Sequence, residues 1–182
     1  MKTSVQNDNK MAEVMHKMMQ EMNNASLHGD PDNHFARMMQ LHHSGVLNMG
    51  NLVLEHNGDP AMTEMVKTIM QKQKEEIAAL QLFLNNNRPM PHTEHAGFNT
   101  EMKKVMDKMD LLAEQESLTG DPDQDFAMLM VHHHQAAIEM ASLVIVHGAD
   151  ADIKKLAGMI KTDKEAEIQW LQKWLNERRG IH

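Results

Sequence analysis

Cysteine and tyrosine are absent from the 182-residue chain, and aromatic residues are scarce, with four phenylalanines and two tryptophans. Without cysteine, no disulfide can staple the fold. No run of 18 apolar residues is present, so the sequence predicts no transmembrane helix. The formal net charge is −8, and basic residues alternate with acidic ones instead of forming the positive patch that nucleic-acid binding needs. The composition therefore excludes a disulfide scaffold, predicts no transmembrane helix and argues against nucleic-acid binding.

Methionine and histidine are present in excess, at 20 and 13 residues against 16 leucines. Leucine is normally among the commonest residues, so an excess of methionine over it is a strong deviation. One explanation is structural, because the flexible thioether fills irregular gaps in helical cores. That explanation does not account for the histidines. The lack of cysteine beside many thioethers also suits an oxidising compartment, where a thioether still binds soft metals and cannot be lost to a disulfide.

One pattern of methionine and histidine occurs twice. Residues 34–43 and 125–134 each carry Phe-Ala, methionine and a His-His pair, and the two segments are 91 residues apart. Aligned at this offset without a gap, the repeats are identical at 22 of 59 positions. We therefore expect a tandem duplication, with one repeat in residues 1–91 and the other in residues 92–182, packed together as one unit.

Proline and glycine mark the helix boundaries. Three Asp-Pro pairs place a capping carboxylate before a proline in the first turn, where the missing N–H costs nothing: Asp30-Pro31, Asp59-Pro60 and Asp121-Pro122. Four glycines stand where the apolar periodicity stops, as left-handed helix ends would require: Gly29, Gly58, Gly120 and Gly148. Each repeat is predicted to hold a leader helix and two longer helices, over residues 8–27, 31–57 and 60–86, then 100–118, 122–147 and 151–178.

Helical spacing brings soft metal ligands together. Residues four apart stack on one face of a helix, and residues seven apart continue the same stripe. Four methionine–histidine pairs have the first spacing, namely Met38/His42, Met39/His43, Met128/His132 and Met130/His134. Two ladders have the second spacing, His42–Met49–His56 and His133–Met140–His147. The candidate metal ligands on the long helices are Met38, Met39, His42, His43, Met49, His56, Met128, Met130, His132, His133, His134, Met140 and His147.

The leader helices and the linker between the repeats supply a second group of candidates. Methionines spaced by three, four and seven form one stripe on each leader helix. Such a stripe is core if it only covers the bundle, and it offers thioether sites if it faces the histidine-bearing helix or solvent. This second group is Met11, Met15, His16, Met18, Met19, Met22, Met90, His92, His95, Met102, Met106 and Met109. The remaining histidines His28, His34 and His182 are expected at the surface.

Structural core histidines are the alternative to metal ligands. Burying a neutral imidazole without a partner costs about 1 to 3 kcal/mol, which a marginally stable domain tolerates poorly. Consecutive residues of a helix point about 100° apart, so His42 and His43 cannot both face one narrow seam. The duplicated pairs therefore favour metal binding.

The mixed donor set favours copper. Thioether selects Cu(I), and imidazole also suits Cu(II), whereas zinc sites prefer thiolate, imidazole and carboxylate. Silver(I) is similarly soft and should compete. We expect no enzyme, because only residues 13–16 have the Glu-x-x-His spacing of di-iron bundles, residues 104–107 lack it, and no His-Glu-x-x-His motif occurs.

Several segments resemble the tandem, methionine-rich form of the ferritin-like domain-of-unknown-function family 305. They are the Gly-Asp-Pro-Asp-x-x-Phe-Ala turn with the His-His pair after it, Gln-Ala-Ala-Ile-Glu-Met-Ala at 135–141, and Leu-x-x-Trp-Leu at 171–175. The resemblance implies an all-α, ferritin-like, up-down four-helix-bundle core. It also implies copper binding and copper resistance, and a periplasmic or secreted location after removal of a leader, whereas the polar start of the chain by itself also fits a cytosolic protein.

The two repeats depart from this family in different ways. The first has Ser44–Met49 where the family pattern is closer to Gln-x-Ala-Ile-Glu-Met. The family's glutamine in the last helix is kept as Gln73 but is Lys164 in the second repeat. The two copies need not bind metal equally.

The expected function is sequestration of copper through methionine and histidine side chains. Because imidazole must be neutral to bind a metal, copper affinity should fall as the pH drops through about 6.5. The alternative is a metal-free helical interaction module whose methionine-rich surface adapts to apolar partners. That alternative predicts a protein partner and no dependence on metal.

Overall fold

The computed structural model describes residues 9–25, 30–89 and 95–180. These residues form six α-helices and no strand, which confirms the all-α prediction. The helices are α1 (Lys10–Asn24), α2 (Pro31–His56), α3 (Pro60–Asn86), α4 (Ala96–Gln115), α5 (Pro122–His147) and α6 (Ala151–Arg178). None of them combines the length and apolarity needed to cross a lipid bilayer.

Side-chain caps fix most helix starts. Asp30, Asp59 and Asp121 each accept a hydrogen bond from a backbone N–H of the first turn and precede a proline, as predicted. Asp150 caps α6 in the same way without a proline. Helix α4 begins at Ala96 instead of residue 100 and has no side-chain cap, so its start carried no sequence signal.

The four long helices form a ring in which each helix packs against two neighbours. Helix α2 contacts α3 and α5, and α6 contacts the same two helices. Leader helix α1 lies on α2 and α5, and α4 lies on α5. The ring is a four-helix bundle, as the resemblance to the ferritin-like family implied. Equivalent helices of the two repeats make equivalent contacts, which relates the halves by a pseudo-two-fold axis.

Two buried aspartates tie each repeat to the other. Asp32 of α2 accepts hydrogen bonds from the backbone N–H groups of Ala149 and Asp150, with N···O distances of 2.8 and 3.1 Å. Its counterpart Asp123 of α5 accepts one from the N–H of Asp59 at 2.7 Å. The start of α5 thereby holds the start of α3, and the start of α2 holds the start of α6.

The glycines before α3 and α6 make room for these two aspartates and do not form the left-handed helix ends that were predicted. A Cβ on Gly58 would collide with the carboxylate of Asp123, and one on Gly148 would collide with that of Asp32. The left-handed residue after α2 is Asn57, with φ of 54°, while Gly148 has φ of −72°. The prediction was wrong at these two glycines because close approach of a carboxylate also requires the missing side chain. Gly120 does have positive φ, and Gly29 lies outside the described residues.

Methionine fills much of the core. Sixteen of the eighteen described methionines are buried, so most thioethers face the interior and not solvent. Helix α1 buries one continuous face made of Met11, Met15, Met18, Met19 and Met22. A Cβ on Gly45 of α2 would collide with the side chain of Met18. The small residue on α2 therefore admits the leader helix.

We expect the cross-repeat aspartates to stabilise the fold measurably. Replacing Asp32 with alanine leaves two partly buried backbone N–H groups without their acceptor, which should lower the free energy of unfolding by about 1 to 3 kcal/mol. Urea denaturation measures the change.

Glu64→Ala is the matched control, because Glu64 is 74% exposed and pairs with Lys67 within one helix. Removing such a surface pair should change stability by less than about 0.5 kcal/mol. Equal losses in the two variants would contradict the role assigned to Asp32.

Candidate metal centre

Two histidines from equivalent positions of the repeats meet where α2 crosses α5. The ring centroids of His42 and His133 are 4.2 Å apart, and neither residue has exposed surface. Because each is the counterpart of the other, the pair lies at the pseudo-two-fold axis. The structure thus joins two predicted ligands from separate repeats into one centre.

The nitrogens of this histidine pair are almost without hydrogen-bond partners. Among the described residues, neither ring nitrogen of His42 has one, and His133 Nδ1 has none. His133 Nε2 lies 3.0 Å from the sulfur of Met15 on α1, and a thioether is only a weak acceptor. Leaving buried nitrogens unsatisfied costs about 1 to 3 kcal/mol each, and a metal bound to the one lone-pair nitrogen of each neutral ring would remove that nitrogen's share of the cost.

Burial keeps both imidazoles in the form that binds metals. It lowers the pKa of His42 and of His133 well below the ordinary histidine value, and the positive charge that neighbouring histidines would carry lowers both pKa values further. A neutral imidazole offers a lone pair, whereas a protonated one does not. The pair is therefore ready to coordinate at neutral pH.

The leader helix takes part in the centre through Met15. Its sulfur contacts His133 directly, so α1 does more than cover the bundle. The predicted methionines of the long helices belong, like Met15, to the hydrophobic core cluster of the whole protein: Met38, Met39, Met49, Met128, Met130 and Met140. The leader methionines in this cluster are Met11, Met15, Met18, Met19, Met22, Met102, Met106 and Met109.

His43 and His134 point away from the first pair, into the bundle. His43 Nε2 is 2.5 Å from Glu76 Oε2 on α3, and His134 Nε2 is 2.6 Å from Glu167 Oε2 on α6. Lys164 Nζ lies between the carboxylates, 3.6 Å from Glu76 Oε2 and 3.3 Å from Glu167 Oε2. We call these five residues the ionic layer. The 100° divergence expected of consecutive histidines thus separates a neutral pair from a charged cluster.

Charges within the ionic layer keep its carboxylates ionised. Burial by itself would raise the pKa of Glu167, but the contact with His134 and the ammonium of Lys164 outweigh it and lower the pKa to about 2. The pKa of Glu76 is lowered by the same balance, in which His43 and Lys164 outweigh burial. Burial lowers the pKa of His43 and His134 although each has a carboxylate beside it.

The two predicted ladders do not form single sites. From His42 to His56 the helix rises by about 21 Å, so the ladder runs from the buried pair to the end of α2. The imidazole of His56 is 42% exposed and lies 3.8 Å from Asp121 Oδ1. His147 is also exposed, and its ring meets the edge of Phe98 at a centroid distance of 5.8 Å.

Three other candidates lie apart from the central pair. His132 Nε2 is 2.7 Å from Oε1 of Glu116, the residue that follows α4. The Met128 sulfur accepts a contact from Arg179 Nη2 at 3.5 Å. His95 stands at the start of α4 without a capping side-chain bond.

His16 forms an exposed cluster with two acidic residues of α4. One donor atom each from His16, Asp110 and Glu114 lies within 4.8 Å of the others. His56, Asp121 and Asp123 form a second such cluster. Both offer nitrogen and oxygen donors and no sulfur. The linker candidates Met90 and His92 lie outside the described residues.

The prediction that His34 lies at the surface was wrong. His34 is 3% exposed, its Nδ1 is 2.7 Å from Asn99 Oδ1, and its ring meets the edge of Phe98 at 5.3 Å. Helix α4 of the second repeat covers this end of α2, a contact that helical periodicity does not reveal. His28 and His182 lie outside the described residues.

Sequence reasoning missed the polar residues of α3 and α6. Glu76 and Glu167 are identical at the 91-residue offset, which was a usable signal. Gln73 and Lys164 occupy equivalent positions, and both are fully buried. Because these helices were treated as scaffold, their inward polar residues were not linked to the histidines.

The family model for a domain of unknown function, DUF305, matches residues 32–178. The chain belongs to the DUF305 family. The match spans all four bundle helices and leaves out leader helix α1. Among proteins of curated function, none matches this DUF305 chain.

Solved DUF305 structures share the fold. A fragment from Deinococcus radiodurans has a TM-score of 0.62 at 18% identity, covering 82% of this chain and 98% of its own. A DUF305 protein of Streptomyces coelicolor, named as a predicted secreted protein, has a TM-score of 0.64 at 21% identity, covering 82% and 94%.

CopM is a third structural relative, and it has been solved with bound metals. Its silver-bound form has a TM-score of 0.59 at 25% identity, covering 80% of this chain and 95% of that one. Its Cu(I)-bound form has a TM-score of 0.60 at 22% identity and covers 80% and 96%. A Cu(II)-bound form matches to the same extent at 23% identity.

The buried histidine pair should make the metal-free protein sensitive to acid. The folded-state pKa of each imidazole lies below the unfolded value of about 6.5, so the unfolded chain binds protons that the folded chain does not. The free energy of unfolding should then decrease as the pH falls below about 6.5. Each histidine should contribute up to about 1.4 kcal/mol per pH unit to this decrease. Urea unfolding between pH 7.5 and 5 measures the slope.

A variant carrying His42→Leu and His133→Leu should show a shallower slope over the same range. The control is His56→Leu, since this imidazole is 42% exposed. If the double variant and the control keep the slope of the parent protein, the buried pair is not the source of the acid sensitivity.

Proposed function

We propose that this DUF305 protein sequesters Cu(I) at the His42–His133 pair together with Met15, and thereby contributes to copper homeostasis and resistance. The observation that carries the proposal is the 4.2 Å approach of two fully buried imidazoles, three of whose four nitrogens lack hydrogen-bond partners among the described residues while the fourth contacts the Met15 sulfur. Two imidazoles and a thioether are a soft donor set of the kind that Cu(I) prefers.

Charge and polarity favour Cu(I) over divalent ions at this pair. The donors are neutral and buried, so a bound ion keeps its full charge in a low-dielectric interior. The cost of burying a charge rises steeply with its magnitude, which disfavours Cu(II) and Zn²⁺ here. Cu(II) prefers nitrogen and oxygen donors, which the clusters around His16 and His56 offer. Silver(I) should occupy the Cu(I) centre.

The structural relatives support this proposal. CopM shares the bundle and is known in silver-, Cu(I)- and Cu(II)-bound forms. A periplasmic or secreted location belongs to the proposal as well, since the Streptomyces coelicolor relative is named as a predicted secreted protein. Methionine and histidine ligands keep their affinity for copper where thiols would be oxidised.

Burial of the donors favours sequestration over catalysis. His42 and His133 have no exposed surface, and Met15 is 3% exposed. A catalytic metal keeps an open position that substrate can reach, whereas a closed donor set does not. We therefore propose storage or buffering of the ion and no turnover.

The rival function, a metal-free interaction module, needs a methionine-rich surface. Of the described methionines, Met159 is exposed and Met65 is partly buried, while the rest are buried. The thioethers are thus placed to serve the core and its histidines instead of an apolar partner.

The shared centre predicts how much Cu(I) binding a single substitution removes. Because both repeats contribute to one centre, His42→Leu alone should abolish high-affinity Cu(I) binding at that centre instead of halving it. Competition with a chromophoric Cu(I) chelator measures both stoichiometry and affinity. Met15→Leu should weaken binding at least about tenfold, since one donor of three is lost while the volume is nearly conserved.

Met62→Leu is the matched control, because it replaces a fully buried methionine that lies on α3. It should bind Cu(I) like the parent protein. Unchanged Cu(I) binding in His42→Leu, with the fold intact by circular dichroism, would rule out the central pair as the copper centre.

The structure also lowers the pH range in which protons are expected to compete with Cu(I) for the histidines. Since burial lowers the pKa of both histidines well below 6.5, protons should begin to compete with Cu(I) only in more acidic solution than an ordinary histidine would suggest. Cu(I) affinity at pH 6.5 should therefore equal that at pH 7.5. A loss of about half the bound copper at pH 6.5 would indicate exposed histidines as ligands.

A further inference from the structure

We propose that the end of α2 and the start of α5 form a site for a divalent transition-metal ion, with His56, Asp121 and Asp123 as its ligands. One imidazole and two carboxylates are donors that Zn²⁺ accepts, and Zn²⁺ is the test ion below. The site lies apart from the buried His42–His133 pair, because α2 rises by about 21 Å between His42 and His56. It goes beyond the proposed copper centre and does not depend on it.

The donor atoms of the three side chains lie close enough to share one ion. One donor atom from each of His56, Asp121 and Asp123 lies within 4.8 Å of the other two. His56 Nε2 is 3.8 Å from Asp121 Oδ1, which is too long for a hydrogen bond. Two donors bound to one zinc ion at about 2.1 Å each can lie up to about 4.2 Å apart. Side-chain movements of less than about 1 Å therefore bring all three donors to one ion.

Asp123 supplies a buried carboxylate oxygen that no described residue satisfies. The residue is 2% exposed, its Oδ2 accepts the hydrogen bond from the N–H of Asp59, and its Oδ1 has no hydrogen-bond partner in the described part of the chain. A Cβ on Gly58 would collide both with this carboxylate and with the ring of His56, so the two side chains converge on the space beside the glycine. A buried carboxylate oxygen without a partner is costly, and a bound cation removes that cost.

The two carboxylates carry more negative charge than their surroundings compensate. Within residues 9–25, 30–89 and 95–180, no lysine or arginine forms a salt bridge with Asp121 or Asp123. The start of α5 contributes only about half a positive charge through the helix dipole. The base beside them is His56, and its imidazole binds a metal when it is neutral. A divalent cation therefore compensates the cluster and uses all three side chains.

Solvent reaches this site, whereas it does not reach the buried histidine pair. The side chains of His56 and Asp121 are 42% and 33% exposed. A hydrated ion can therefore bind without opening the bundle, and water can complete its coordination. Partial exposure also lowers the cost of a double positive charge, which the interior around the buried pair disfavours.

The other repeat provides an internal comparison. His147, Asp30 and Asp32 occupy the equivalent positions at the 91-residue offset. The ring of His147 meets the edge of Phe98 at a centroid distance of 5.8 Å, and among the described residues this trio does not bring three donor atoms together. Residue 7, the counterpart of Phe98, is asparagine. The same sequence pattern thus forms the site in one half of the bundle and not in the other.

The test measures zinc binding by competition with a chromophoric zinc chelator. The parent protein should bind one zinc ion that His56→Gln does not bind, so the bound zinc falls by one per chain. Asp121→Asn should have the same effect, because asparagine still caps α5 but is a much weaker ligand than a carboxylate. His147→Gln is the matched control, and it should bind as much zinc as the parent.

Thermal unfolding gives a second readout. Since the site joins α2 to α5, Zn²⁺ should raise the unfolding midpoint of the parent and of His147→Gln, but not that of His56→Gln. If Asp121→Asn does not fold, His56→Gln decides the test by itself, because its side chain lies at the surface. Cu(I) binding at the buried pair should be the same in His56→Gln as in the parent, which separates this proposal from the copper centre.

Two results would overturn the proposal. One is a parent protein that binds no zinc in competition with the chelator. The other is an equal zinc stoichiometry in the parent, His56→Gln and His147→Gln, since the ion would then lie elsewhere, for example at the cluster around His16.

Discussion

The crossing of α2 with α5 at the pseudo-two-fold axis is the contact on which the rest of the structure depends. It brings His42 against His133 with their ring centroids 4.2 Å apart, and it removes both rings from water. Neither helix could bury an unpartnered imidazole alone at low cost. The cross-repeat hydrogen bonds of Asp32 and Asp123 hold the ends of the same two helices, so the position of the pair is set by contacts at both ends of the bundle.

The His-His motif divides its two members between unlike environments. His42 joins a neutral pair beside a thioether, and His43 joins a cluster of carboxylates and an ammonium. The division follows from the 100° rotation between consecutive helical residues. A neutral, sulfur-containing pocket suits a soft monovalent ion, while the carboxylates of the charged cluster already face the ammonium of Lys164. Two adjacent residues thereby have neighbours of opposite polarity.

Methionine serves both packing and coordination in this fold. The leader helix α1 buries a stripe of methionines, as any amphipathic helix buries its apolar face, and Gly45 lets it approach α2 closely. The same packing brings the Met15 sulfur to 3.0 Å from His133 Nε2. Composition cannot separate these roles, because a thioether in the core and a thioether ligand follow the same spacing.

Local signals in the chain determined the secondary structure and the type of ligand. Aspartate caps and prolines placed the starts of α2, α3 and α5, because those signals act within one turn of helix. The repeat and the helical period identified His42, His43 and their counterparts as a group. Both features are encoded within a few residues of each ligand, so they can be read without the fold.

Tertiary structure alone decided which of these residues meet. His42 lies beside His133, Glu76 beside His43 and Lys164 beside Glu76, and each of these contacts joins different helices. It also buried His34 under α4 and left His56 exposed at the end of its ladder. Helical spacing fixes directions on one helix, but only the packing of α2 against α5 and of α3 against α6 determines what those directions face.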